Sequence, residues 1–186
     1  MPLGNSADKW GALSKWLHWL IALLIIGTSV LIWHVNDSTY WFKSTAPIFL
    51  EYVHWHKAFG LLALVLILVR LWWRRRNPPP QVAELTPFEE RWSKRVHAAF
   101  YILMVIVPIS GWVSSSFFGS PTKVFGWFVV PGIVPENKDM VPFAYWAHFG
   151  LAWALMLLVV GHIGGALYHH FVRKDRVLTA MLPERG

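Results

Sequence analysis

Residues 148–162 read HFGLAWALMLLVVGH: two histidines, fourteen positions apart, enclosing only apolar and small residues. At 100° per residue, fourteen steps come to about 1400°, about 40° short of four turns, with an axial rise of about 21 Å. A helix over this stretch therefore carries His148 and His162 on one face at two depths. Polar side chains at such depth in an apolar helix are costly and turn toward the bundle interior and a partner. Two structural histidines bonded to neighbouring backbone are the plain alternative. Two on one helix at this spacing are what a pair of stacked metal cofactors requires.

The rest of the chain supplies the setting. Of 186 residues 55% are apolar, 13 are Trp, and the mean hydropathy is +0.42. Segments near 16–34, 52–73, 95–116 and 143–170 are long enough to cross a hydrocarbon core of about 30 Å, which takes roughly 20 helical residues. Helices are the spanning solution for such runs, because unpaired backbone groups are intolerable in lipid. The expectation is an all-α, integral membrane four-helix bundle, a single domain over residues 1–186. Lys9 and Lys15 precede WLHWLIALLIIGTSVLIW (16–33) as they would in a secretory signal, but a small-residue cleavage site is lacking, so the segment reads as a retained helix. The absence of cysteine excludes disulfides, thiolate ligands, iron–sulfur clusters and covalently attached c-type haem. Metal chemistry must then use His or carboxylates.

The net charge of +7 is unevenly placed. Thirteen of the 17 Lys and Arg lie at the N-terminus, in the linker between the second and third segments, or in the tail; Lys43, Lys57, Lys123 and Lys138 lie on the other side. The positive-inside rule puts both termini in the cytoplasm. RLWWRRRNPPP (70–80) reads as a stop-transfer anchor with a proline exit, and no nucleic-acid partner is implied. In the inner linker at 74–94, TPFEERWSK (86–94) predicts an amphipathic turn or short helix, Thr86 capping and Glu89 three positions on. The outer loop at 117–142 is long and aromatic, and is expected to fold over the outer face.

A b-type haem takes an axial imidazole on each side, so two haems need four histidines at two depths. In EYVHWHKAFGLLALVLILVR (51–70), His54 and His56 lie about 200° apart on the wheel. His56 is preferred, because Gly60 one turn below it lets a porphyrin plane lie against the backbone. The inner candidates are His18 and His97. His34 is at the wrong depth, about 24 Å from His18 and about 160° around the helix. Arg70, fourteen after His56 on the same face, reaches the inner haem's propionates or else snorkels as an anchor. His169, seven after His162, lies on the same face about 10 Å nearer the cytoplasm. It suits a propionate contact or a proton relay to a quinone, and equally an interfacial histidine without a redox role.

SKWLHWL (14–20), HKAFG (56–60), LILVRLWWR (66–74), HAAFYILMVIVPISGW (97–112) and AHFGLAWALMLLVVGHIGGALYHHFVRKDRVLTAMLP (147–183) together resemble the bacterial dihaem cytochrome b561 family. The resemblance implies two b haems, ligated by His18 with His162 on the cytoplasmic side and by His56 with His148 on the periplasmic side. It implies single-electron transfer across the membrane through haems whose axial positions are filled. Characterised relatives include a superoxide oxidase, which implies oxidation of periplasmic superoxide and reduction of ubiquinone, with Lys57, Lys123 and Lys138 drawing in the anion. The alternative is a membrane-anchor cytochrome b subunit that passes electrons from a hydrogenase or dehydrogenase partner to quinone.

Overall fold

The computed structural model describes residues 2–35 and 47–183. Four long helices dominate it: α1 (Ala12–Val35), α2 (Pro47–Arg76), α3 (Pro87–Phe117) and α4 (Val141–Tyr168). All four are long and apolar enough to cross a membrane. Lys43 and the side chain of His34 lie outside the described residues.

α2 and α3 both start further toward the N-terminus than the hydropathy segments do. Each opens on a proline, whose missing N–H costs nothing at the first helical position. At α3 the Thr86 box forms as its spacing predicts. Glu89 N donates to Thr86 Oγ1 at 3.3 Å, and Thr86 N donates to Glu89 Oε2 at 2.8 Å. The amphipathic stretch after it is therefore the first two turns of α3 rather than a separate linker helix.

α1 packs along α2 and α3 along α4, while α2 meets α3; α4 has far less backbone contact with α1 or α2. Two helix pairs thus face each other across a layer of side chains. The buried core of Leu17, Ile21, Ala63, Ile67, Met104 and Leu155 occupies part of that layer. Large apolar side chains also point outward: Leu23 is 69% exposed and Leu157 68%. Such a surface is stable against hydrocarbon and unstable against water.

The two ends differ. At one end, Asn5 joins three segments: its Nδ2 donates to the carbonyls of Asn77 and Pro78, and its Oδ1 accepts from Gly11 N and Ser14 Oγ. The C-terminal tail folds back onto α1 at the same end, where Lys15 Nζ donates to Leu182 O and Trp19 Nε1 to Met181 O. At the other end the 117–142 loop contains an antiparallel hairpin, β1 (Thr122–Val124) with β2 (Phe128–Val130). This small sheet is an addition to the all-α expectation. Phe125 and Gly126, at φ 50° and 77°, turn the chain between its strands. The Phe125 ring lies 5.8 Å from Trp55 and 5.3 Å from Phe59, which holds the hairpin over the start of α2.

Candidate functional site

The side-chain layer between the helix pairs holds the histidines. The His56 and His148 ring centres are 6.1 Å apart, and those of His18 and His162 are 6.2 Å apart. One metal ion bonded to both imidazoles at about 2 Å, with each nitrogen about 1.1 Å from its ring centre, needs centres about 6 Å apart. Among the described residues no three His, Asp or Glu side chains gather to hold a metal. Facing pairs suit a metal whose remaining positions are filled by its own macrocycle.

The outer pair is prepared for that role by its neighbours. His56 Nδ1 is 3.1 Å from the Thr28 carbonyl; His148 Nδ1 is 3.1 Å from the Val107 carbonyl and 3.0 Å from Ser110 Oγ. A carbonyl only accepts, so both Nδ1 atoms carry the proton and both Nε2 lone pairs are left for a metal. A Cβ on Gly111 would stand 2.9 Å from His148 Cε1, so only glycine admits the ring there. A Cβ built on Gly60 meets nothing within 4 Å, which leaves room along the His56 face.

The inner end is less resolved between partners. His162 stands 6.0 Å from His97 as well, and Phe100 packs 5.2 Å from it. His97 Nδ1–H donates to Ser93 O at 2.7 Å. Arg70 Nη2 donates to His18 Nδ1 at 3.2 Å, so this guanidinium faces the inner histidines rather than the lipid. Among the described residues Arg70 has no carboxylate partner. An anionic group at the inner pair would draw it off His18 and free that ring to take the tautomer of the outer ligands. Distance alone thus leaves His18 and His97 where the helical wheel leaves them.

His54, set aside on the wheel, has no partner for Nδ1 among the described residues. His169 stands apart from the inner cluster. It opens a five-residue π turn, His169–Arg173, and its Nδ1 meets Asp175 Oδ2 at 2.6 Å. Lys174, left-handed at φ 55°, reverses the chain so that Asp175 N donates back to His169 O. Burial alone would raise the Asp175 carboxyl; the hydrogen bonds from His169 and Val177 N and the nearby cationic charge outweigh it and hold the group below the usual carboxylate range. Sequence reasoning missed Asp175, Ser110 and Gly111. The Lys-Asp pair after the double histidine was visible, but nothing in a helical pattern announces a chain reversal at a lysine.

The three outer lysines are not equivalent. Lys138 pairs with Glu136 at 2.8 Å, and Lys123 is exposed. Lys57, next in sequence to His56, donates only to uncharged oxygens: Ser115 Oγ, Ser120 O and Oγ, and Pro121 O.

Residues 9–184 match the family model for prokaryotic cytochrome b561. The chain belongs to the prokaryotic cytochrome b561 family. It is 34% identical over 186 residues to cytochrome b561 homolog 2 of Escherichia coli (strain K12), covering 98% of this chain and 95% of that one. It is 26% identical over 175 residues to cytochrome b561 homolog 1 of the same organism, covering 91% and 94%. A probable superoxide oxidase, CybB, of Yersinia pestis is 29% identical over 182 residues, covering 95% and 97%. As a cytochrome b561 this is a multi-pass bacterial membrane protein of transmembrane electron transfer, and the family implies b haem as its cofactor. The paired imidazoles, the protonated outer Nδ1 atoms and the space at Gly60 fit that group.

Proposed function

We propose that the protein carries single electrons through two b haems, from superoxide outside to ubiquinone inside. The observation that supports it most directly is the pair of facing imidazole sets that α4 holds at two depths, His148 opposite His56 and His162 opposite His18. Haem held by these histidines would supply one-electron chemistry. The chain's own part is to fix the four rings, to exclude water with the Leu17, Ile67 and Met104 core, and to place charge at both ends.

For the inner ligand opposite His162, the residue-by-residue likeness to the family favours His18 on α1 over His97 on α3. Arg70 then balances a haem carboxylate. At the outer end Lys57 is a fixed positive charge beside His56, suited to an anionic donor. At the inner end the His169–Asp175 pair suits proton delivery, because ubiquinone reduction by two superoxide ions consumes two protons and releases two oxygen molecules. Both termini then lie in the cytoplasm. The similarity to a probable superoxide oxidase supports this choice of donor.

The hairpin supports a second reading. Trp127 is 84% exposed, with Phe128 and Val129 beside it also exposed. Such an apolar tip suits docking of a periplasmic hydrogenase or dehydrogenase subunit, which makes the protein an anchor cytochrome.

Rapid mixing of the oxidised protein with superoxide separates the two. Haem reduction without an added subunit, slowing as ionic strength rises and supporting ubiquinone reduction on turnover, is the expected result. Haems that stay oxidised with superoxide but reduce once a periplasmic dehydrogenase is supplied establish the anchor reading instead.

A further inference from the structure

At the terminal end of the bundle, outside the layer that holds the histidines, lies a cavity of about 240 Å³. Asp8, Lys9 and Trp10 of the N-terminal segment form one wall, Arg176 and Thr179 of the tail another, and Lys15 of α1 the third. One water needs only about 15 Å³ on this measure, so the space admits a polyatomic group. Three cations face one carboxylate. Asp8 is engaged by Ser6 Oγ at 2.9 Å, and Lys9, Lys15 and Arg176 enter none of the ion pairs among the described residues.

Lys15 is the telling member. It is only 7% exposed, and among the described residues its ammonium donates to an uncharged carbonyl, Leu182 O, at 3.0 Å. An anion in the cavity would give this ammonium a charged partner as well as the neutral carbonyl. The first N–H groups of α1 do not serve an anion here: Ala12 N and Leu13 N already donate to the carbonyls of Pro2 and Leu3. The positive charge of the site comes from side chains rather than from helix N–H groups.

Its height in the membrane is marked by aromatic residues. Trp16 is 73% exposed next to Lys15, and Trp19 one turn further reaches the tail through Met181 O. Exposed Trp settles at the level of the lipid headgroups. Basic pockets at that level take anionic headgroups.

We infer that Lys9, Lys15 and Arg176 form a binding site for a phosphate group, carried by an anionic phospholipid or free in solution. Residues of the N-terminal segment and of the tail both line this cavity, so an occupant holds the two segments together. The inference does not depend on which redox partners the protein uses.

The test uses the full-length haem-loaded protein, delipidated in detergent, and measures binding by native mass spectrometry and by the unfolding midpoint. The probes are phosphatidylglycerol, phosphatidylcholine and inorganic phosphate. Phosphatidylglycerol is expected to be retained and to raise the midpoint where phosphatidylcholine does not; a response to inorganic phosphate in its place assigns the site to free phosphate. Lys9→Gln and Arg176→Gln remove exposed groups and leave the bundle intact, and each is expected to weaken binding by about fivefold. Asp8→Asn is expected to tighten it. Binding that is unchanged in the Lys9→Gln/Arg176→Gln double variant, or equal for phosphatidylcholine and phosphatidylglycerol, overturns the inference. So does a haem spectrum that shifts in Lys15→Met while phosphatidylglycerol binding stays unchanged, since Lys15 would then serve the haem.

Discussion

If His56 and His148 hold the outer haem as proposed, much of that site is decided one atom away from the metal. Their Nδ1 atoms are committed to the carbonyls of Thr28 and Val107, and this fixes which nitrogen is left to bind. Helical spacing exposed the rings but not these partners, because a backbone carbonyl is present at every position and has no sequence signature. At the inner end the same logic gives a discriminating pair of variants. His97 has its Nδ1–H on Ser93 O, and His18 is met by Arg70, so either ring is a possible partner for His162. With His18 as ligand, His18→Ala and His162→Ala each take the pyridine haemochrome content from about two b haems per chain to about one. His97→Ala then leaves it near two. Loss in His97→Ala with retention in His18→Ala reverses the assignment.

Asp175 gives a residue-level prediction with a sign. Its carboxyl is held below its unfolded value of 3.8, so its contribution to stability is present above that pH and is lost as pH falls through the lower folded value. Asp175→Asn is expected to abolish that acid dependence in hydrogen exchange of residues 169–181. It also replaces the charged acceptor that orients His169 with a neutral amide oxygen. Reoxidation of the inner haem by ubiquinone should therefore slow in Asp175→Asn and in His169→Ala alike, with the outer haem's spectrum unchanged. Reoxidation at the original rate in both returns His169 to an interfacial role.

Among the elements, α4 was the most legible, since a fourteen-residue spacing specifies both a face and two depths. The start of α3 was only half legible. TPFEE announced a cap, but a hydropathy window sees lipid-compatible length rather than helix length, and the polar first turns before residue 95 fall outside it. The capping box anchors those turns, and Thr86→Ala is expected to cost about 1 kcal/mol. The check is local: hydrogen exchange of residues 87–94 speeds up, while protection of the apolar half of α3 stays as it was. Uniform loss of protection along α3 would mean that the box supports the whole helix. The β1–β2 hairpin was not legible. Strands of three residues are too short to show alternation, and of the two left-handed turn residues, Phe125 and Gly126, only the glycine announces that conformation.

For the whole molecule, charge asymmetry bears on which end of the bundle faces which side of the membrane. The basic side of the chain carries the N-terminal segment, the 77–86 linker and the returning tail, Asn5 bonding the linker and Lys15 of α1 the tail; the other end carries the aromatic hairpin and Lys57. If the positive-inside rule decides insertion, the His18–His162 pair lies toward the cytoplasm and the His56–His148 pair toward the periplasm. Cysteine placed at Trp127, the most exposed point of the hairpin, and at Gln81, exposed in the linker, tests this without touching either histidine pair. In intact cells a membrane-impermeant thiol reagent should label Trp127→Cys at once, and Gln81→Cys only after the inner face is opened. The same two variants orient the chemistry. In right-side-out vesicles, superoxide generated outside should reduce haem in both proteins, and a bulky label on Trp127→Cys should slow that step if the donor approaches past the hairpin. Label on Gln81→Cys should leave it alone. Equal labelling of the two positions in intact cells would place both ends of the bundle on one side, which four spans with buried imidazole pairs cannot accommodate.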